Sequence, residues 1–224
     1  MAFNFKWTLH LTHFLYPPLC LHCQTLLLKR IPVLCPCCLE QISLASVEER
    51  CSTCFSLLQK GRCDLCMHRP VVIRKQIAAS ERIGPAATLS ASLLQDNPLS
   101  AAPLAALMAY QWFEYKMPLP DLIIPLPLFF WQSFNPHFLL AREVGKIFSI
   151  PVLPLLKKKW DRECFLTEGE FHSRFSVNRK RSEQVCDRTV LLIAVTLDDR
   201  LLRKAAESLQ PFFPKVVFAL AGVS

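Results

Sequence analysis

The chain after residue 120 alternates short, continuous apolar runs with segments in which apolar residues recur at helical spacing. The apolar runs are Leu122–Leu126, Val190–Val195 and Val216–Leu220, and each follows a polar or charged residue. Between them, Phe138–Phe148 and Leu201–Leu209 place apolar residues on one helical face. Continuous apolar strands separated by helices are typical of a parallel sheet that is covered on both faces. The pattern therefore predicts an α/β fold.

The segment before this region predicts one more strand and two helices. Val71–Ile83 is a strand candidate that leads into Gly84-Pro85, a turn signal. Ala86–Tyr115 is rich in alanine and leucine at helical spacing, and Asp96-Asn97-Pro98 interrupts it, so two helices are expected. Val152-Leu153 begins a further short strand candidate.

Composition and cysteine distribution divide the chain near Pro70. Its 224 residues suit a small module, residues 1–70, followed by a domain of average size, residues 71–224. Apolar residues make up 52% of the chain, enough for a packed core and unlike an intrinsically disordered protein. We expect a cysteine-rich module joined to an α/β domain.

The first module contains four Cys-x-x-Cys pairs. They are Cys20/Cys23, Cys35/Cys38, Cys51/Cys54 and Cys63/Cys66. Two residues between cysteines let both thiolates reach one ion from a tight turn, and two such pairs complete a tetrahedral shell of four sulfurs. Pairing in chain order predicts two structural zinc ions in a double zinc ribbon. A closed shell leaves no coordination position for water or substrate.

Other arrangements of these cysteines remain open. Disulfides form in oxidising compartments, and a protein that uses them is expected to contain an even number of cysteines. This chain has 11 cysteines, of which three lie outside the pairs: Cys37, Cys164 and Cys186. A redox Cys-x-x-Cys motif normally occurs once. An interleaved arrangement that joins the first pair to the third is a second possibility for zinc. Cys37 is an alternative to Cys35 or Cys38 as a ligand, and His22 and His68 lie near the cysteines in sequence.

The compartment expected from these features is the cytoplasm, because thiolate zinc ligands need a reducing environment. Trp7–Leu19 superficially resembles a signal peptide, but polar residues interrupt it and no small-residue cleavage site follows. A short amphipathic helix is expected there instead. The longest apolar run, Leu122–Trp131, is broken by prolines and too short to cross a bilayer, so no transmembrane segment is expected.

The charge distribution suggests a polyanionic partner. The formal net charge is +8, from 26 basic and 18 acidic residues. Two basic clusters with neighbouring aromatic residues are candidates for contacts with single-stranded DNA, because such clusters can follow a phosphate backbone and stack bases. They comprise Lys157, Lys158 and Lys159, and Arg179, Lys180 and Arg181. The alternative is that both clusters are solvated loops that keep the protein soluble.

Several ordered motifs resemble the ComF family of proteins related to bacterial competence. The motifs are Tyr16-Pro17-Pro18-Leu19-Cys20-Leu21-His22-Cys23, Leu34-Cys35-Pro36-Cys37-Cys38-Leu39, Gly84-Pro85 before a helix, Pro120–Leu128 with its Pro-Leu-Pro strand end, Phe134-Asn135 before Leu139-Leu140-Ala141-Arg142, and Arg174 with Asn178. The resemblance implies a double zinc ribbon followed by a phosphoribosyltransferase-like domain, and it implies a role in DNA uptake.

The family's catalytic motif is altered in this chain. An active phosphoribosyltransferase carries two acids at a strand end for the ribose hydroxyls, then a glycine-rich loop whose amides hold the 5′-phosphate at a helix N-terminus. Here Ala194 and Val195 stand at the positions of the acids, and the following loop, Thr196–Arg200, contains no glycine. Asp198 and Asp199 place negative charge where a phosphate would bind. Ala194, Val195, Thr196, Asp198 and Asp199 thus form a degenerate phosphoribosyl site, and no catalytic residue is assigned.

These observations leave three functional hypotheses. The first is a binding component for single-stranded DNA in DNA uptake. The second is an active phosphoribosyltransferase that uses phosphoribosyl pyrophosphate with magnesium. The third is a zinc-ribbon scaffold that recruits a helicase or another DNA-uptake protein.

Overall fold

A four-stranded parallel sheet lies at the centre of the α/β domain. The computed structural model of the protein describes residues 17–27, 33–128, 134–158 and 175–224. Four of its strands are β1 (Lys75–Ser80), β2 (Leu122–Pro125), β5 (Thr189–Thr196) and β6 (Val216–Val223). They lie in the order β1-β6-β5-β2, and each neighbouring pair is parallel. The α/β fold class predicted from the apolar pattern is confirmed, and the parallel sheet fits a phosphoribosyltransferase-like fold.

The sheet is covered on both faces, as the continuous apolar strands predicted. Within the described residues, the helices in chain order are α1 (Pro36–Glu40), α2 (Asp64–Met67), α3 (Gly84–Leu94), α4 (Ala101–Glu114), α5 (Pro136–Phe148) and α6 (Asp199–Leu209). Side chains of α3, α4 and α5 contribute to the core on one face, and those of α6 to the core on the other. An antiparallel ribbon, β3 (Leu156–Lys158) paired with β4 (Phe175–Val177), also contributes to the α6 side.

Alternation along the strands sends successive side chains into the two core layers. On β5, Leu191 and Ile193 join the layer beneath α4 and α5, whereas Leu192 joins the layer beneath α6. Trp112 of α4 is fully buried, and its ring centroid lies 5.8 Å from that of Phe218 in an edge-on arrangement. Because both faces of each central strand are buried, these strands carry almost no polar residues.

Three local differences from the sequence expectations have simple causes. The first strand is limited to β1 rather than spanning Val71–Ile83, and Gly84-Pro85, interpreted from the sequence as a turn before a helix, forms the first two residues of α3. Pro85 suits the first turn of that helix because its fixed φ is helical and its missing N–H needs no partner there. Val152 makes only an isolated bridge to Ile123. Flanking prolines at positions 151 and 154 remove the amide donors that a longer strand would need.

The cysteine-rich region is fastened to the α/β domain by polar contacts. The amide nitrogen of Gln111 donates to the carbonyl oxygens of Ala45, at 3.1 Å, and Ala79, at 3.0 Å. The Tyr115 hydroxyl also donates to the carbonyl of Ala45. These bonds join the segment between the cysteine pairs to β1 and α4. The helix expected within Trp7–Leu19 falls almost entirely outside the described residues.

Candidate metal centres and ligand cleft

The first group of four cysteines gathers the first two Cys-x-x-Cys pairs. The sulfurs of Cys20, Cys23, Cys35 and Cys38 all lie within 4.8 Å of one another. A tight turn positions the first pair, because the Cys20 amide donates to the Thr25 carbonyl at 2.9 Å. Cys35 directly precedes α1, and its backbone amide donates to the Cys20 sulfur at 3.3 Å. The turn and the start of α1 therefore bring the four thiols together.

The second group gathers the remaining two pairs in the same way. The sulfurs of Cys51, Cys54, Cys63 and Cys66 lie within 4.8 Å of one another. The Cys51 amide donates to the Ser56 carbonyl at 2.8 Å, which closes the first turn. Cys63 precedes α2 and Cys66 lies within it. The groups thus form in chain order, not in the interleaved arrangement.

The spacing of the sulfurs fits a zinc ion and does not fit disulfides. Cys23 and Cys35 are 3.5 Å apart, Cys54 and Cys63 are 3.4 Å apart, and Cys51 and Cys66 are 3.7 Å apart. A disulfide requires about 2.05 Å. A tetrahedron with zinc–sulfur distances of about 2.3 Å has edges of about 3.8 Å. Each group could therefore hold a zinc ion through four sulfurs.

The other candidate ligands lie outside both groups. Cys37 is exposed on α1 and belongs to neither cluster. The exposed His22 contacts the Thr88 hydroxyl through Nδ1 at 2.9 Å, which links the first turn to α3. His68 is exposed beyond α2. Four-sulfur shells thus form without a histidine.

Electrostatics within each group oppose ionisation of all four thiols. The hydroxyl and amide of Thr25 lower the pKa of Cys23 to about 6, whereas burial raises the pKa of Cys38 well above its usual value. In the second group, burial raises the pKa of Cys51, but hydrogen bonds from the backbone amides of Cys54 and Thr53 outweigh it and lower that pKa to about 7. A divalent cation would offset the repulsion among four thiolates, so metal binding and deprotonation would be coupled.

Ala194 and Val195, which the ComF resemblance aligned with two acids, are part of the protein core. Ala194 and Val195 are fully buried within β5, and their side chains enter opposite core layers. The strand continues to Thr196 before the chain turns toward α6. Neither residue presents a side chain to a ligand, so these two positions serve packing.

The side chain of Asp198 caps the N-terminus of α6, and the next acid, Asp199, bonds to other parts of the chain. Asp198 Oδ1 accepts a hydrogen bond from the Leu201 amide at 3.0 Å. Asp199 Oδ1 accepts from Gln76 Nε2 at 2.7 Å, and its Oδ2 lies 3.4 Å from Arg69 Nη1. Helix N-termini attract phosphate through free amides and the helix dipole. Here the Asp198 carboxylate already occupies that position.

His137 contacts the end of β5, just before the loop that leads into α6. The Val195 amide donates to His137 Nδ1 at 3.0 Å, so the imidazole accepts this bond in its neutral form with the proton on Nε2. Burial lowers the pKa of His137 to about 4, and the charge of Lys158 contributes in the same direction. The sequence did not single out this histidine, and only its position at the start of α5, after β2, hinted at proximity to the β5 loop.

A cleft of about 520 Å³ opens at the carboxyl edge of the sheet, where the parallel topology predicts ligand binding. It lies beside the ends of β5 and β6 and beneath α2. The residues that give it chemical character are Leu65, Arg69, Arg82, Leu197, Asp198 and Arg200. Of the loop after β2, the described residues 126–128 and 134–135 do not line it. The sequence analysis did not select Arg69 or Arg82 as candidate site residues. The sequence features that could have pointed to them are the position of Arg69 just after a Cys-x-x-Cys pair and that of Arg82 just after a strand.

The two basic clusters lie along the β3–β4 ribbon. Lys157 is exposed and Lys158 half-buried on β3, where they pair with Ser176 and Phe175 of β4. Beyond β4, the exposed Arg179 and Arg181 lie in a 3-10 helix, Arg179–Val185. The ribbon thus carries basic residues on β3 and past the end of β4. Lys159 and the side chain of Lys180 fall outside the described part of the chain.

Comparison with known proteins gives no family assignment. A scan against protein-family models and a search of curated protein sequences found no match to this chain. Within the described residues, no helix combines the length and apolar character needed to cross a membrane. Function has therefore to be inferred from the cysteine groups, the β5–α6 loop, the cleft and the basic ribbon.

Proposed function

We propose that this protein is a zinc-binding, ComF-like, cytoplasmic protein that contacts single-stranded DNA during DNA uptake or processing and has no transferase activity. The observation that carries the proposal is the capping of α6 by Asp198. An enzyme with the family's chemistry would place a phosphate at this helix N-terminus. A carboxylate bonded to the Leu201 amide at 3.0 Å excludes the phosphate from that position and repels its charge.

The neighbouring contacts support the loss of catalysis. The Val195 amide is engaged by His137, and Ala194 and Val195 supply no carboxylate for ribose hydroxyls. Asp199 is not free to replace these acids as a ligand of the ribose hydroxyls, because its carboxylate is bonded to Gln76 and paired with Arg69. The fold tolerates these changes because the strands retain their apolar pattern.

The basic ribbon supports contact with a nucleic-acid strand. Lys157, Arg179 and Arg181 are exposed along the ribbon and within the following 3-10 helix, in a protein of net charge +8. Neutralising phosphates with such residues releases counterions, so binding would weaken as salt rises. A short two-stranded ribbon with flanking cations can contact several consecutive phosphates of an extended strand.

Zinc has a structural role in this proposal. Both four-sulfur shells are closed, so an ion in either site would have no free position for substrate. The small cysteine-rich module has a modest apolar core, and structural zinc contributes on the order of 10 kcal/mol to such modules. Elemental analysis of the purified full chain is expected to give two zinc ions per chain. Protein that retains its full stability after treatment with a chelator would contradict this role.

The DNA contact is tested with a fluorescently labelled single strand of about sixteen nucleotides, a length within the usual range of site sizes. The triple variant Lys157→Ala, Arg179→Ala, Arg181→Ala is expected to reduce both affinity and the salt dependence of binding. A matched control removes three exposed cations near the amino edge of the sheet: Lys116→Ala, Arg188→Ala and Lys215→Ala. Equal losses in both triple variants would show that only net charge matters, and absence of binding at low salt would refute the DNA contact.

The enzymatic alternative predicts a different measurement. An active phosphoribosyltransferase would bind phosphoribosyl pyrophosphate with magnesium, and calorimetry of the wild-type protein would detect the binding heat. We expect no heat. Binding that disappears in the Asp198→Ala and Asp199→Ala variants would support the enzyme and contradict our proposal.

A further inference from the structure

The outer face of α4 is apolar. Its inner face packs on the sheet through Leu104, Met108 and Trp112, which are fully buried. The exposed residues of the helix recur at helical spacing, and they are Ala102, Ala106, Tyr110, Phe113 and Glu114. Glu114, at the last position, is the only charged residue of α4. A surface helix normally carries charged and polar residues opposite the core, so α4 leaves an apolar side uncovered among the described residues.

The largest side chains of this surface are about half exposed. Tyr110 and Phe113 are each 54% exposed, Leu99, just before α4, is 61% exposed, and Ile147 of α5 is 47% exposed. Phe113 lies beside α5, because its ring centroid is 5.4 Å from that of Phe148. A large aromatic residue has about 150–250 Å² to bury, so these four side chains expose about 400 Å² of mostly apolar area. Together with Ala102 and Ala106, they are named the α4 face.

The size of the α4 face favours a short segment over a second copy of the protein. A stable interface between two proteins buries about 800 Å² on each partner, roughly twice the apolar area of this face. A patch of about 400 Å² is within the range of the largest patches on monomers, which often have a function. Three or four large side chains of one short segment present enough area to cover it.

The described chain begins beside α4. Pro17 leads directly into the first cysteine turn, and Cys20 lies in one apolar cluster with Leu89 of α3. Leu107 of α4 packs against this cluster. Because Leu107 lies three residues before Tyr110, the turn borders the α4 face. Sixteen extended residues span up to about 50 Å, whereas the fourteen residues of α4 form a helix about 21 Å long. Residues 1–16 can therefore reach the whole α4 face.

The composition of residues 1–16 suits an apolar surface. Ten of these sixteen residues are apolar, and Lys6 has the only charged side chain. Phenylalanine and tryptophan supply four aromatic side chains, Phe3, Phe5, Trp7 and Phe14. Covering the α4 face with them would remove both apolar surfaces from water. The other long stretch outside the described residues, 159–174, connects β3 to β4, which contribute to the core on the opposite side of the sheet.

We propose that residues 1–16 dock on the α4 face of the same molecule. Their aromatic side chains pack on Tyr110 and Phe113, and the contact ties the first cysteine turn to α4 in addition to the contact of Leu107. The docked segment covers the apolar side of α4 and so keeps this surface from associating with other chains. The contact uses neither the basic ribbon nor the cleft, so it is independent of the proposed DNA binding.

A photo-crosslinking amino acid tests which chain covers the face. p-Benzoylphenylalanine replaces Tyr110 in the full chain, and mass spectrometry maps the products of irradiation. The expected product is a cross-link to residues 1–16 at monomer mass, with a yield that does not depend on protein concentration. The matched control places the same group at Phe213, an exposed aromatic residue beyond α6. No cross-link to residues 1–16 is expected from that position.

A second measurement follows the environment of Trp7 without a cross-linker. Protein labelled with 5-fluorotryptophan gives one fluorine resonance for each of its four tryptophans, and Trp7→Phe assigns that of Trp7. In the wild type, this resonance should be shifted from its position in free fluorotryptophan. Tyr110→Gln, Phe113→Gln should return it toward that position, whereas the matched control Leu119→Gln, Phe213→Gln should leave it shifted.

Both double variants replace exposed side chains, and their melting temperatures establish that both are folded. A cross-link to a second copy, or no cross-link between position 110 and residues 1–16, would overturn the proposal. So would a Trp7 resonance that Tyr110→Gln, Phe113→Gln leaves in place, or one that both double variants move equally. Neither measurement involves DNA, so failure of this docking and failure of the DNA contact give separate results.

Discussion

His137 should make the protein less stable in mild acid. Its folded-state pKa is about 4, against an ordinary value of 6.5 in an unfolded chain, mainly because burial disfavours the imidazolium. The unfolded state therefore binds a proton more tightly, and stability falls as the pH drops from about 6.5 toward about 4. At about pH 5 the two pKa values give a loss of about 2 kcal/mol relative to neutral pH. Protonation of Nδ1 would also remove the acceptor of the Val195 amide.

The substitution His137→Asn separates this titration from the hydrogen bond, because the Asn Oδ1 can accept from the Val195 amide but does not titrate. Urea unfolding of both proteins, followed by tryptophan fluorescence near pH 7.5 and near pH 5, gives four free energies of unfolding. We expect the variant to lose about 2 kcal/mol less than the wild type between these pH values. Acid effects on the cysteine groups are common to both proteins and cancel in this difference. Parallel losses in the two proteins would refute the reasoning.

Three further changes test the packing, the helix cap and the metal groups. Gly222→Ala would place a Cβ 2.8 Å from Leu104 Cδ2 and 2.9 Å from the Val195 carbonyl oxygen, and a destabilisation of about 1–3 kcal/mol is expected in urea unfolding. Asp198→Ala should cost about 1 kcal/mol of stability through loss of the α6 cap, whereas Asp198→Ser should retain most of it; equal costs would contradict the capping role. Cys63→Ser should reduce the zinc content measured by elemental analysis from two ions to one per chain, and Cys37→Ser should leave two.

The strands and helices of the α/β domain were predictable because their signals are local. Val190–Val195 is continuously apolar, and β5 differs from it by one residue at each end. Asp96-Asn97-Pro98 separates α3 from α4. Asn97 caps the 3-10 turn that follows, because its side chain accepts a hydrogen bond from the Leu99 amide at 3.2 Å. The strand expected at Val152-Leu153 did not form beyond an isolated bridge. The apolar pattern alone would allow a strand there, but the flanking prolines limit backbone pairing with a neighbouring strand.

The grouping of the cysteines was partly predictable. Their spacing specifies pairs that share an ion, but sequence spacing alone permits sequential or interleaved combinations. The fold decides between them by placing α1 and α2 directly after Cys35 and Cys63, where each short helix presents its pair to the preceding turn. Exposure of Cys37 on α1 follows from the same helix geometry, since adjacent residues on a helix point in different directions.

The sequence by itself determined the parallel α/β sheet, the cysteine pairs and the absence of acids at Ala194 and Val195. These features depend on residue type and on short-range periodicity. Only the tertiary structure decided that His137 engages the Val195 amide, that Asp199 is bonded to Gln76, and that Arg69, Arg82 and Arg200 share one cleft. Such contacts join residues about 60 to 130 positions apart. They arise when strands of a parallel sheet end at one edge, and no local pattern records which side chains meet there.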